Sequence, residues 1–229
     1  MLRTKWAQRA FFIVICVMGL FAILSSTMSK NPVLKPFATS IGTPDDLLGI
    51  VAAASTIPGI LISLPAASLS DVLGRRKVLL FAAFVFASAP FLYLGVNSWW
   101  TLALVRFYHG FATAIFIPVA EASIATSFPT KRGERISLFN SATAAGRALA
   151  PFLGGYILFA TNESFFTLYV AVGIAGITAF AVALLFLAEK RTLATQPAPV
   201  EKAPRKIFSG WLTIIKNTSV LGVSFVQAI

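Results

Sequence analysis

The sequence contains one cysteine, one histidine and few charged residues. A single thiol cannot close a disulfide within the chain, and one Cys with one His cannot complete a four-ligand zinc site. Asp, Glu, Lys and Arg make up 12% of the 229 residues, against about 25% in soluble domains. We therefore expect no metal site and no other cofactor.

Apolar side chains are abundant, at 57% of the chain. Soluble domains are about 45–50% apolar, so a soluble fold would leave too much apolar surface in water. Lipid must be the solvent for most of the chain. The composition predicts an all-α membrane protein.

The apolar residues fall into long uncharged runs. These runs cover residues 10–29, 47–70, 78–105 and 164–188. A bilayer core of about 30 Å is crossed by about 20 helical residues, so the third run exceeds one span. A turn at 95–98 divides it before Trp99 and Trp100, which suit an interfacial aromatic belt. With charge-bearing spans at about 99–126 and 136–160, the sequence predicts six transmembrane helices within residues 1–188.

The net charge of +11 is concentrated in short segments between the apolar runs. If the N-terminus is cytoplasmic, the opposite side carries only Lys30 and Lys35, as the positive-inside rule predicts. A nucleic-acid partner is not expected, because such proteins gather basic and aromatic residues on one soluble face. We expect a multi-pass protein of the cell membrane, with the lipid bilayer as its partner.

The last part of the chain differs in composition. Residues 189–208 are rich in proline and basic residues, which predicts an extended cytoplasmic linker. Residues 209–229 predict an amphipathic segment followed by the first half of a seventh helix. We therefore expect the chain to be incomplete.

Residues 67–77, ASLSDVLGRRK, close the second predicted helix and open the third. Gly74 suits the positive φ of a tight turn, and Asp71 and Arg75 are close enough to pair across it. The segment resembles the signature loop G-x-L-a-D-x-x-G-R-[RK]-x of the major facilitator superfamily, with Ala67 in place of the first glycine. The resemblance implies that Asp71, Gly74, Arg75 and Arg76 form a gate. In the family the aspartate meets the N-terminus of a helix from the other half, which locks the outward-facing state.

Three further segments resemble this family in order and position. Residues 31–37 are similar to the proline-rich exit from the first helix. Residues 102–110 contain Arg106 followed by Gly110, like the fourth helix, and residues 129–135 repeat the basic R-G turn. The resemblance covers residues 10–190 and implies the N-terminal half of a transporter, a bundle of two three-helix inverted repeats. Its partners would be a small-molecule substrate and a missing C-terminal six-helix half.

The fifth predicted helix carries Gly146, Pro151, Gly154 and Gly155. Small residues at 146, 150 and 154 share one helical face and permit close contact with a neighbouring backbone, and Pro151 predicts a kink. The segment is similar to G-x-x-x-G-P-x-x-G-G of the drug/proton antiporter branch, with Ala150 for one glycine. Both interpretations, antiporter motif and tight packing, remain open.

Three charges, Arg106, Glu121 and Arg147, fall inside predicted spans, where they need partners or water. The family resemblance covers Arg106 and implies a role in substrate binding or proton coupling. Glu121 either takes and releases a proton, with Arg147 tuning its pKa, or forms a static ion pair with Arg147. His109 either titrates near neutral pH or makes a local hydrogen bond. The first helix, 10–29, lacks the acid that proton-coupled exporters often carry there.

The resemblance implies a secondary active transporter, and the preferred function is proton-coupled export of small amphiphilic compounds by alternating access. A carrier of a sugar, an organic anion or another metabolite is the alternative within the family. A truncated, non-transporting six-helix membrane protein is the alternative from another class. No Walker loop is present, and the single histidine offers no serine protease dyad, so enzymatic activity is not expected.

Overall fold

The structure, a computed structural model, describes residues 2–187, so the predicted linker 189–208 and the terminal segment 209–229 lie outside it. Within the described range the chain forms eight α-helices and one 3-10 turn, Asp45–Leu47, without a β-strand. The helices are α1 Leu2–Met28, α2 Leu34–Ser40, α3 Leu48–Ala54, α4 Ile57–Leu73, α5 Arg75–Tyr93, α6 Trp99–Ser127, α7 Arg132–Ala160 and α8 Phe165–Leu187. The all-helical prediction is confirmed for this range.

The predicted turn at 95–98 separates α5 from α6. Ser98 caps α6: its backbone N–H donates to Thr101 Oγ1 at 3.2 Å, and the two hydroxyls lie 2.8 Å apart. This capping box satisfies N–H groups that the first turn of a helix leaves free. The cap fixes where the helix begins, and Trp99 and Trp100 follow it directly.

The second predicted span, 47–70, is not one continuous helix, which corrects the prediction. α3 ends at Ala54, and α4 begins at Ile57 after a turn at Ser55 and Thr56. Pro58 lies in the first turn of α4, where its missing N–H costs no helical hydrogen bond. The interruption leaves carbonyl groups at the end of α3 without helical partners.

Five segments are long and apolar enough to cross a membrane. They are Trp6–Met28, Asp45–Ser63, Arg75–Tyr93, Trp99–Ser127 and Phe165–Leu185. α7 has 29 residues and is about 43 Å long, given the rise per residue of an α-helix. Its first half is polar, however, so it is not among the five.

The long helices alternate in direction and define two ends of the bundle. The basic end holds the turns at 74 and 128–131, and the far end holds the turns at 29–47, 94–98 and 161–164. α1 packs on α7 and α8, α6 packs on α3, α4 and α5, and α5 packs on α8. One apolar core surrounds Phe86, Phe116 and Phe139, and a second surrounds Tyr93 and Tyr169.

Large apolar side chains also cover the outside of the bundle. Phe159 and Phe152 on α7 are 85% and 76% exposed. In water such a surface would be a strong aggregation hazard. In a bilayer it contacts lipid tails or another apolar bundle.

Candidate functional site

The signature turn has the predicted geometry. Gly74 joins α4 to α5 with φ of 92°, a backbone conformation that other residues rarely adopt. Asp71 Oδ1 accepts a hydrogen bond from Arg75 Nε at 2.9 Å and forms an ion pair with Arg75 Nη2 at 2.8 Å. The predicted pair is therefore present. Arg76 lies beside it, half-buried, on the first turn of α5.

Arg75 also ties this turn to the basic end of α6. Its Nη1 donates to the carbonyl oxygen of Ala122 at 3.0 Å and to Thr126 Oγ1 at 2.6 Å. The Arg75 side chain is 16% exposed, whereas the Asp71 side chain is 56% exposed. Arg75 is thus held inside the bundle, and Asp71 presents a carboxylate on the surface.

Arg106 lies at the interruption between α3 and α4. Its Nε donates to the carbonyl of Val51 at 2.7 Å, and its Nη2 donates to the carbonyl of Ala52 at 3.0 Å and to Ser55 Oγ at 3.1 Å. These are acceptors that the end of α3 leaves free, and a cation is favourable beside the C-terminal end of a helix dipole. Arg106 therefore stabilises the break in the second span.

Gly110, one turn after Arg106, permits the close approach that these hydrogen bonds require. A methyl group added at Gly110 would overlap the carbonyl oxygen of Ser55 and lie 3.1 Å from Pro58 Cγ. The spacing of Arg106 and Gly110 thus has a structural reason. The arginine binds the end of α3, and the glycine lets α6 touch the following turn.

A cluster of buried polar side chains occupies the far end of the bundle. The rings of Tyr93 and Tyr169 stack at 4.6 Å with an interplanar angle of 3°. Ser29 Oγ lies 3.4 Å from His109 Nδ1, so His109 contacts the end of α1 instead of making the predicted local hydrogen bond. All of these residues, with Arg106, are at most 3% exposed.

Several polar atoms of this far-end cluster have no hydrogen-bond partner among residues 2–187. They are Arg106 Nη1, His109 Nε2, Tyr93 Oη and Tyr169 Oη. An unsatisfied buried donor or acceptor costs about 1–3 kcal/mol. Four such atoms together indicate a place where a further polar group can bind.

The glycine face of α7 packs on α1. A methyl group at Gly146 would lie 2.5 Å from the carbonyl oxygen of Leu20, and one at Gly154 would lie 3.2 Å from Met28 Cγ. Ala150 is fully buried between them. The predicted close packing is confirmed. The helix continues through Pro151, and Gly155 faces open space.

Glu121 and Arg147 do not form the predicted ion pair. The salt bridges within the described residues join Arg75 to Asp71, and both Lys131 and Arg135 to Glu134. Glu121 is half-buried near the basic end of α6, and Arg147 is exposed on α7. The hypothesis of a static pair is wrong for this structure, because no ion pair joins Glu121 to Arg147 among the described residues.

The family model described as Major Facilitator Superfamily matches residues 7–229. The chain belongs to the major facilitator superfamily. The signature turn and the docking of Arg75 on α6 are therefore features of a member of that superfamily.

Two relatives from this superfamily indicate how much of a transporter the chain represents. It is 32% identical over 146 residues to the multidrug transporter TPO1_2 of Candida glabrata, covering 63% of this chain and 25% of that protein. It is 22% identical over 203 residues to the quinolone resistance protein NorA of Staphylococcus aureus, covering 86% of this chain and 52% of NorA. The chain thus spans between a quarter and about half of the length of these relatives.

A solved structure has the same fold. The human organic anion transporter MFSD10 (TETRAN) matches with a TM-score of 0.62 and 19% identity, over 79% of this chain and 47% of that chain. At 19% identity the match shows that the two chains share a fold and nothing more. Like NorA, MFSD10 is about twice as long as the matching segment.

Sequence reasoning missed several residues that the superfamily fold brings together. Tyr93 and Tyr169 were not singled out, although a buried tyrosine hydroxyl usually has a polar partner. Arg135 entered only as a basic loop residue. Its guanidinium lies over the rings of Phe12, at 4.8 Å, and Phe128, at 5.3 Å, and joins three helices at the basic end. Lys30 was used only to predict which side of the membrane each loop faces.

Proposed function

We propose that the chain is the N-terminal half of a secondary active transporter of the cell membrane, which exports small amphiphilic compounds by alternating access. The observation that carries this proposal is the signature turn. Arg75 is anchored on α6, while the carboxylate of Asp71 stays exposed for another part of the transporter. The names of two relatives, a multidrug transporter and a quinolone resistance protein, support small amphiphilic compounds as substrates.

The proposal includes six membrane crossings built as two inverted three-helix repeats. α3 and α4 together form the second crossing, and α7 forms the fifth. The first crossing packs on the fifth and sixth, and the fourth packs on the second and third. The third and sixth crossings pack on each other. If crossings one, two and three are exchanged with four, five and six, the same set of neighbours results, as expected for a repeat of three helices.

A polar α7 fits this arrangement because it would face a second bundle or a water-filled cavity rather than lipid. Its Arg147 is exposed, and its small residues at 146, 150 and 154 are already packed on α1. The second bundle would be the C-terminal half of the transporter. With the basic end on the cytoplasmic side, the N-terminus is cytoplasmic and the far end is extracellular.

Replacing Asp71 by asparagine tests the proposed gate. The change should leave the fold intact, because an exposed ion pair contributes only about 0–1 kcal/mol. It should slow transport by up to about 30-fold, because the proposed gate places the Asp71 carboxylate at the N-terminus of a helix in the C-terminal half. Such a contact contributes up to ~2 kcal/mol. The measurement is efflux of the amphiphilic dye that the unaltered protein exports, chosen from cationic ethidium and anionic carboxyfluorescein, from cells that lack their own exporters and express the complete reading frame containing this chain.

Asp46→Asn is the matched control, since Asp46 is an exposed acid at the far end. It should transport like the unaltered protein. Equal rates for Asp71→Asn and Asp46→Asn would contradict the gate. Absence of efflux in the unaltered protein, with a range of amphiphilic dyes, would contradict the exporter.

We further propose that Glu121 is the proton-coupling site. It is a half-buried acid inside α6, it has no ion-pair partner in residues 2–187, and α1 supplies no acid. Glu121→Gln should abolish the dependence of transport on an imposed pH gradient, because the amide cannot release a proton. Uptake of the same dye into proteoliposomes, with and without the gradient, measures this, and Glu163→Gln in an exposed far-end turn is the control.

A further inference from the structure

Three cations lie in the far half of the bundle: Lys30 just after α1, Arg106 on α6 and Arg147 on α7. Ser26 Oγ lies 3.3 Å from Thr113 Oγ1, and Ser29 Oγ lies 3.4 Å from His109 Nδ1, so α1 and α6 run antiparallel in this register. Lys30 follows Ser29 and therefore lies at the level of His109. Arg106 is less than one turn farther along α6.

Arg147 lies on α7, within two helical turns of this level. α1 and α7 run parallel, because Gly146 packs against Leu20 and Leu24, and Gly154 packs against Met28. Arg147 thus starts near the level of Leu24, about 9 Å along the helix axis from Lys30. The long side chains of Lys30 and Arg147 can bridge that distance between them.

The environment of Lys30 shows that this arrangement is electrostatically unfavourable without an anion. Burial, together with the positive charges of Arg106 and Arg147, lowers the pKa of Lys30 to about 8. None of the three cations has a carboxylate within 4 Å among the described residues. At pH 7 Lys30 is still protonated, so its charge disfavours the folded state relative to a neutral side chain of similar length.

We propose that Lys30, Arg106 and Arg147 bind the anionic group of the transported amphiphile, such as a carboxylate or a sulfonate. The inference rests on the proposed transport function and names its substrate class. Arg106 has one free nitrogen, Nη1, because its other two are bound to the end of α3. The hydroxyl of Tyr93 lies beside the guanidinium, and the hydroxyl of Tyr169, which has no hydrogen-bond partner among residues 2–187, adds a neutral donor.

The test uses two dyes that share a xanthene ring, anionic carboxyfluorescein and cationic rhodamine 123. The complete gene product is placed in nanodiscs of zwitterionic phosphatidylcholine, and dye binding and the unfolding temperature are measured. Carboxyfluorescein should bind and raise the unfolding temperature, and rhodamine 123 should bind more weakly. Tighter binding of rhodamine 123 than of carboxyfluorescein overturns the inference.

Lys30→Met should have two opposite effects. Without dye it should raise the unfolding temperature by a few degrees, because an unfavourable charge is removed. It should also weaken carboxyfluorescein binding by about tenfold or more, the effect of losing one charged hydrogen bond. Lys35→Met, an exposed lysine at the same end, should change neither quantity. Unchanged dye binding in Lys30→Met overturns the inference.

Two further arms separate the sources of an anion and the two proposals. If phosphatidylglycerol alone stabilises the unaltered protein but not Lys30→Met, and carboxyfluorescein does not compete, the site binds a lipid headgroup and the substrate inference fails. In proteoliposomes, transport of rhodamine 123 but not carboxyfluorescein leaves the exporter standing and overturns the anion. If neither dye is transported, the exporter fails, while binding in nanodiscs still decides whether the site takes an anion.

Discussion

Gly146→Ala is expected to lower the free energy of unfolding by about 1–3 kcal/mol, the usual cost of overpacking. The added methyl group would lie 2.5 Å from the carbonyl oxygen of Leu20 and 3.2 Å from the amide nitrogen of Leu24. Both are backbone atoms of α1 and cannot rotate away, so α7 must move off α1. Thermal unfolding of the purified protein in one fixed detergent measures the change.

Gly155→Ala is the matched control on the same helix. Gly155 has no neighbouring atom within 4 Å of an added methyl group. Alanine should therefore be neutral or stabilise by up to about 1 kcal/mol, since glycine disfavours a helix interior. If both substitutions gave the same change, the close contact between α7 and α1 would be absent in the protein.

Arg106→Lys is expected to destabilise the protein by about 1.5–3 kcal/mol, the contribution of one hydrogen bond to a charged group. Arg106 reaches Val51, Ala52 and Ser55 with two nitrogens of a planar fork. A lysine keeps the charge but has one nitrogen, so it cannot satisfy the same acceptors. The interruption between α3 and α4 would then lose its main cross-helix support.

Arg132→Lys serves as the control, because Arg132 is exposed at the start of α7. It should unfold at the same temperature as the unaltered protein. Hydrogen exchange adds a local readout, since only Arg106→Lys should speed exchange around residues 51–58. An Arg106→Lys protein with unchanged stability and exchange would show that the hydrogen bonds from Arg106 to the end of α3 contribute little to stability.

A role of Arg106 in transport is compatible with its hydrogen bonds to the end of α3. The family resemblance implied substrate binding or proton coupling for Arg106, and the structure assigns two of its nitrogens to the end of α3. A ligand at Nη1 would therefore act on the same side chain that holds the break in the second crossing.

Features determined by residues near one another in the chain could be predicted from the sequence. The apolar runs indicated the helices, and the turn between α5 and α6 was placed correctly. Asp71 and Arg75 are four residues apart with Gly74 at the turn, so their pairing follows from local geometry. The glycine face of α7 follows from helical periodicity in the same way.

The tertiary structure alone decided which side chains meet across helices. It broke the second span, placed Arg106 on that break and separated Glu121 from Arg147. In lipid every face of a helix can be apolar, so the hydrophobic pattern does not specify which face turns inward or how far each helix slides. The relative level of Lys30 and the two arginines depends on that rotation and register, because close packing at glycines, and not the order of residues, sets the relative position of the helices.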